Sequence, residues 1–337
     1  MASTDISNFN ATIFSSNLRR NLEAKGGKMR PYVTMAEGDL YREDGLYPFI
    51  KGGGLPKKIT QRLPESPISS EEYSNRRISR ADYQDGTAID RQDLDRMQVD
   101  PWADKTNILG DKFRRLEDLI IQSAALGDAL GGDTGSTTVN FTAGNIIGVG
   151  LGAEAGFTNA GFTYEKLTEV LKDFQKDHID LSSEKVCITV SAEQIYDILQ
   201  QDKFINKDYI NQSIMTNGFG SIQNYMGVDW IITEVLPYMN TAGTGFNISL
   251  DDDVVTDATG SGNGTWADTD TTDIRACIAM VKSGVMFETK PDMITRVAEL
   301  QANSFRPYAY AEMGLGAVRL EEEKVRAIPC DQSPVAA

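Results

Sequence analysis

The chain has 337 residues, 24% of them charged, with a formal net charge of −16 and a single histidine. That length suffices for two domains or one large one, which would bury roughly three quarters of the unfolded surface. The acidic balance argues against general affinity for nucleic acid, which needs clustered Lys and Arg. No apolar run approaches the ~20 residues that span a bilayer.

The first ten residues, MASTDISNFN, lack the basic and apolar parts of a signal peptide, so cytoplasmic synthesis is the default expectation. A short helix is predicted around FSSNLRRNLEAK, ended by Gly26 and Gly27. Residues 37–105 are the most unusual stretch. Leu, Ile, Val and Phe fill only 12 of these 69 positions, against 14 acidic and 11 basic residues. A segment this poor in core formers does not fold alone, and an arm lying on another copy of the chain is the reading that follows.

Within it, Tyr47 to Pro67 carries Gly52, Gly53, Gly54 and four prolines around the strand-like KKITQR, as the tip of a long hairpin or loop would. Lys51, Lys57, Lys58 and Arg62 give this tip a basic cluster, a candidate contact with acidic surface on a neighbouring subunit. NRRISRADYQDGTAIDRQDLDRM then alternates without a strong apolar face, the pattern of an exposed or edge strand.

From Asp104 to Leu130, Ile108, Phe113, Leu116, Ile120 and Ala124 recur at helical spacing, predicting the longest helix, with charges on its solvent side. GGDTGSTT is a turn and VNFTAGNIIGVG a strand candidate. Thr163 is placed to cap TYEKLTEVLKDFQKDH, whose Leu167, Val170, Leu171 and Phe174 share a face. KVCITV reads as a buried strand running into a helix through a Ser191/Gln194 capping box. VDWIITEV and IRACIAMV are two more buried strands, separated by the insert Pro237–Asp273. Residues 251–273 of that insert hold seven aspartates and no Lys or Arg. VMFET, a mixed stretch to Tyr310, and a closing strand KVRAI complete the chain.

Chemistry finds little foothold, and no catalytic, cofactor-binding or metal residue is assigned. Asp268, Asp270 and Thr272 spell the D-x-D-x-T of aspartate-nucleophile phosphatases, but GSGNGTWA before them cannot be the buried strand that motif needs. Carboxylates at 251–253 and 268–273 could ligate calcium, yet EF-hand spacing is absent. Gly150, Gly152 and Ala155 fit a loose G-x-G-x-x-A that opens no helix, so a plain turn is expected. His178 sits at a helix C-terminus, where an imidazolium complements the dipole. Cys187, Cys277 and Cys330 are widely spaced, the first two in apolar runs, as buried free thiols would be.

In order and texture, NRRISRADYQDGTAIDRQDLDRM, FRRLEDLIIQSAALGDAL, GFTYEKLTEVLKDFQKDHID, KVCITVSAEQIYDILQQ, GVDWIITEVLP, ACIAMVKSGVMFE and GAVRLEEEKVRAI resemble the major capsid proteins of tailed bacteriophages. The resemblance runs from about Asn75 to Asp331 and implies an α+β chain of the Hong Kong 97 type. It divides the chain into an N-terminal arm (1–45), an extended loop (46–85) and a peripheral domain (86–184 and 286–337) with spine helix 104–130. An axial domain (185–285) carries the insert 237–273. The implied function is a non-enzymatic subunit forming hexamers and pentamers of an icosahedral head shell in the virion, assembled in the host cytoplasm. Double-stranded DNA would be enclosed without sequence-specific binding, and a portal protein and scaffold or decoration proteins are implied partners, with no membrane. An encapsulin-like nanocompartment shell is the alternative, and a hydrolase using the Asp-rich loop a more distant one.

Overall fold

The computed structural model describes residues 27–36, 44–51, 58, 60, 62, 72–90, 102–153, 159–201, 204, 225–239, 246, 274–289, 293–300 and 306–332. The expected helix around FSSNLRRNLEAK, most of the Gly/Pro-rich tip and nearly all of the acidic insert, Asp268, Asp270 and Thr272 included, lie outside them.

The described strands form three sheets, two of which pack against one long helix. In the first, β12 (Arg306–Arg319) is the central strand. On one edge it pairs antiparallel with β10 (Val285–Thr289) and β11 (Ile294–Leu300), and on the other with β4 (Ala81–Ala88). The short β1 (Thr34–Met35) extends this sheet parallel to β10. The second sheet runs β13 (Val325–Asp331), β9 (Ile274–Val281), β7 (Val186–Val190), β8 (Val228–Ile232), with β7 and β8 parallel. The third runs β2 (Asp44–Lys51), β3 (Glu72–Ser79), β5 (Ala129–Gly131), β6 (Thr137–Val139).

Helix α1 (Trp102–Leu126) lies between the first two sheets. Its Leu109, Phe113, Ile120, Ile121 and Ala125 meet Phe287, Ala311, Met313 and Leu315 on one side and Cys187, Ala276, Ile278 and Met280 on the other. At 1.5 Å per residue it is about 37 Å long. The opposite face of the second sheet packs on α2 (Tyr164–Lys176) and α3 (Ala192–Gln200). Successive residues of β9 therefore alternate between two buried layers, Ala276, Ile278 and Met280 toward α1, and Cys277, Ala279 and Val281 toward α2 and α3. Covering both faces explains why KVCITV and IRACIAMV read as unbroken apolar runs.

The caps fall where the sequence puts them. Thr163 accepts from Lys166 N, and Ser191 N donates to Gln194 Oε1 at 2.9 Å in the capping box. All three thiols are buried and free, and burial pushes Cys187 well above the ordinary thiol range. His178 takes a left-handed φ of 63° just past α2, and Gly152 one of 77° in a turn where a Cβ would lie 2.7 Å from Thr163 Oγ1.

Other elements differ from expectation. The long helix stops at Leu126, four residues early, because Gly127 turns the chain into β5. Of VNFTAGNIIGVG only Val139 is strand, as the last residue of β6, whose two threonines come from the expected turn GGDTGSTT, and a single 3-10 turn, Ala143–Asn145, follows. The mixed stretch before Tyr310 holds β11 and the 14-residue β12. β12 contains Pro307, two glycines and three alanines, a composition of low strand propensity. It forms because both edges are paired. The closing strand β13 pairs with β9 in the second sheet, whereas β10, β11 and β12 belong to the first.

Candidate functional site

Two features stand out from the closed core: a hairpin that leaves it, and buried charges that hold its parts together. β2 and β3 pair antiparallel over eight residues, from Asp44↔Ser79 to Lys51↔Glu72. Register places Leu46, Pro48 and Ile50 on one face with Arg77, Asn75 and Tyr73. Leu46, Ile50 and Tyr73 are 49%, 57% and 66% exposed, so this hairpin shows solvent an apolar face. Large exposed apolar faces mark association surfaces. Of the predicted basic cluster, Lys51 ends β2, Lys58 and Arg62 are exposed, and Lys57 lies outside the described residues.

At its root the hairpin is joined to the body by a two-residue ladder, Arg76↔Gly131 and Arg77↔Leu130, and by a small cluster of Ile78, Ala129 and Val318. Burial lowers the affinity of Arg76 for its proton, and the neighbouring Glu322 works against that.

The arm end, residues 27–36, is fixed along α1. Gly27 N donates to Arg114 O, and Lys28 N and Met29 N donate to Asp118 at 3.2 and 3.0 Å. Arg30 pairs with Glu117 at 3.2 Å. Glu117 and Asp118, expected on the solvent side of the helix, are therefore buried, because the arm covers that side and its backbone donors satisfy the carboxylate. Burial raises the Asp118 carboxyl above its ordinary range, an effect the backbone donors partly offset.

Two cations are fully buried. Arg319 closes the C-terminal end of α1, donating to Ala125 O at 2.9 Å and Gly127 O at 2.6 Å, with its Nε on Glu322 at 2.9 Å. A cation at a helix C-terminus satisfies unpaired carbonyls and the dipole together. Lys166 donates to Ala160 O, Gly161 O and Pro329 O at 2.7, 2.9 and 2.7 Å, tying α2 to β13. Burial lowers its affinity for a proton. Neither was singled out from sequence, although both leave a signal. Lys166 shares helical spacing with Val170 and Phe174, and Arg319 alternates in register with Leu315 and Ala317.

Buried charges thus tie the arm, α1, α2 and β13 together, while the hairpin leaves the body through its two-residue ladder. Among the described residues no cluster of His, Cys, Asp and Glu could hold a metal ion. None of the described helices is long and apolar enough to cross a membrane.

Comparison with known proteins agrees in kind. A family model described as phage capsid protein matches residues 6–332. No curated protein matches. The fold is similar to the capsid of the cyanophage P-SCSP1u, at a TM-score of 0.64 and 12% identity, covering 96% of this chain and 93% of that one. Similar too are the capsid of Ralstonia phage GP4 (0.62, 11%, 97% of each) and that of cyanophage Pam1 (0.60, 14%, 99% and 100%).

Proposed function

This chain belongs to the phage capsid protein family, and from that premise we propose how each part of the subunit serves the shell. It is a major capsid protein of the Hong Kong 97 type, a structural subunit that self-assembles into capsomers, and its place is the virion capsid. The family match over residues 6–332 carries the conclusion, and it favours a phage shell over the nanocompartment or hydrolase alternatives.

In our reading residues 1–45 are the N-terminal arm and 46–85 the extended loop. Residues 86–184 and 286–337 form the peripheral domain around the spine helix, and 185–285 the axial domain with its acidic insert. The chain works through geometry and catalyses nothing. Burial between subunits drives assembly, and the hairpin laps over an adjacent subunit, setting its apolar face and the basic Lys51, Lys57, Lys58 and Arg62 against it. The exposure of Leu46, Ile50 and Tyr73 supports this role. The net charge of −16 suits a shell that holds dense double-stranded DNA without gripping its phosphates. A portal and scaffold or decoration proteins complete the head, assembled in the host cytoplasm.

Negative-stain electron microscopy of the expressed protein tests the shell directly, and a monomer in every field would sink it. Deleting residues 50–64 is expected to leave soluble subunits that form no stable shells. Normal shells from the deletion would remove the hairpin's role.

A further inference from the structure

The hairpin root, the end of α1 and the turn after β12 meet at one carboxylate. Glu322 sets Oε2 2.9 Å from Arg319 Nε and Oε1 3.7 Å from Arg76 Nη2. Arg319 is held independently by the carbonyls at the end of α1. Arg76 belongs to β3, donates from Nε to Leu320 O at 3.1 Å, and lies 5.3 Å over the Phe49 ring of β2. Two buried guanidiniums thus share one anion unequally, with the short bond toward the helix and the long one toward the hairpin. Gly131 makes room for this arrangement, because a Cβ there would lie 2.4 Å from Arg76 Nη1.

We infer that Glu322 is a latch coupling the angle of the hairpin to the C-terminal end of the spine helix, one that Arg76 can leave while Arg319 stays capped. The asymmetry gives the direction. Arg319 has no exposed alternative, being fully buried against backbone carbonyls, whereas Arg76 regains water when the hairpin swings away. Removing the shared carboxylate leaves two like charges facing each other, and the one with a hydrated alternative departs. The value of such a hinge to a shell rests on the reading that the hairpin laps a neighbour. The latch itself is intramolecular, so it can be tested apart from assembly.

Hydrogen exchange on the purified full-length chain, unassembled, is the test. Glu322→Gln is expected to speed exchange at residues 72–79 by about tenfold or more while β7 and β9 keep their protection. Arg76→Gln should do the same, and the double variant should exchange no faster than the quicker single one, since both changes break one interaction. Unchanged exchange at 72–79, uniform acceleration along the chain, or additive effects in the double variant would overturn the latch. If Glu322→Gln yields no soluble protein, Arg76→Lys gives the same readout. It keeps the charge and the Arg319–Glu322 bond but cannot serve Leu320 O and Glu322 together. Microscopy of the same variants separates the two ideas, because normal shells from a released hairpin would count against lapping and leave the latch standing.

Discussion

The interior of this subunit and its hairpin invert the usual distribution of side chains. The body of the structure buries Arg319, Lys166, Glu117 and Asp118, while the hairpin exposes Leu46, Ile50 and Tyr73. Each buried charge is matched to backbone groups or a counter-ion, so it fixes how elements meet. Each of the three apolar side chains of the hairpin keeps about half or more of its surface in solvent, the surface that in our reading meets another molecule. If stability resides in the body and association in the limb, as proposed, substitutions should divide along that line.

The sharpest division comes from Arg319→Ala. It uncaps the end of α1 and leaves a cavity and unpaired carbonyls, which is expected to cost about 3–5 kcal/mol in denaturant unfolding. A body variant as mild as a surface change would break the comparison. Lys166→Met, of similar shape, strands three carbonyls and is expected to cost about 2–4 kcal/mol by the same measurement. The loss should be felt where α2 meets β13.

Asp118→Asn adds a pH signature. The folded-state pKa of Asp118 lies above its unfolded value, so the folded chain binds the extra proton as pH falls through that interval. Stability contributed by this proton is absent at neutral pH and grows as pH falls toward the ordinary carboxylate value of 3.8. The unfolding free energy of the wild type minus that of Asp118→Asn should accordingly rise as pH is lowered into that window. A difference that falls would refute the assignment of burial as the dominant influence on Asp118.

The smallest effect on stability is expected in the limb. Leu46→Ser, Ile50→Ser and Tyr73→Ser should each move the unfolding free energy of the subunit by no more than about 0.5 kcal/mol, as exposed positions do. The triple variant should nonetheless fail to form stable shells by microscopy. A large loss of subunit stability would mean that the hairpin face is packed against its own chain.

Where a segment's environment is set locally, its sequence was enough. The Ser191 box, the Thr163 cap and the two-sided burial of KVCITV and IRACIAMV were all legible from residue type and period. The deficit of core formers across residues 37–105 is likewise a property of composition. The ordered set of these pieces also carried the family. What only the tertiary structure decided depends on partners distant along the chain. β12 is a strand because β4, β10 and β11 saturate its edges, despite a glycine- and alanine-rich sequence. Glu117 and Asp118 are buried because an arm some 90 residues away brings the Arg30 guanidinium to the first and the Met29 amide to the second. Arg319 and Arg76 become one site only because Glu322 stands between two sheets. Local periodicity records which face is apolar. Which long-range neighbour makes a buried charge affordable is fixed by folding alone.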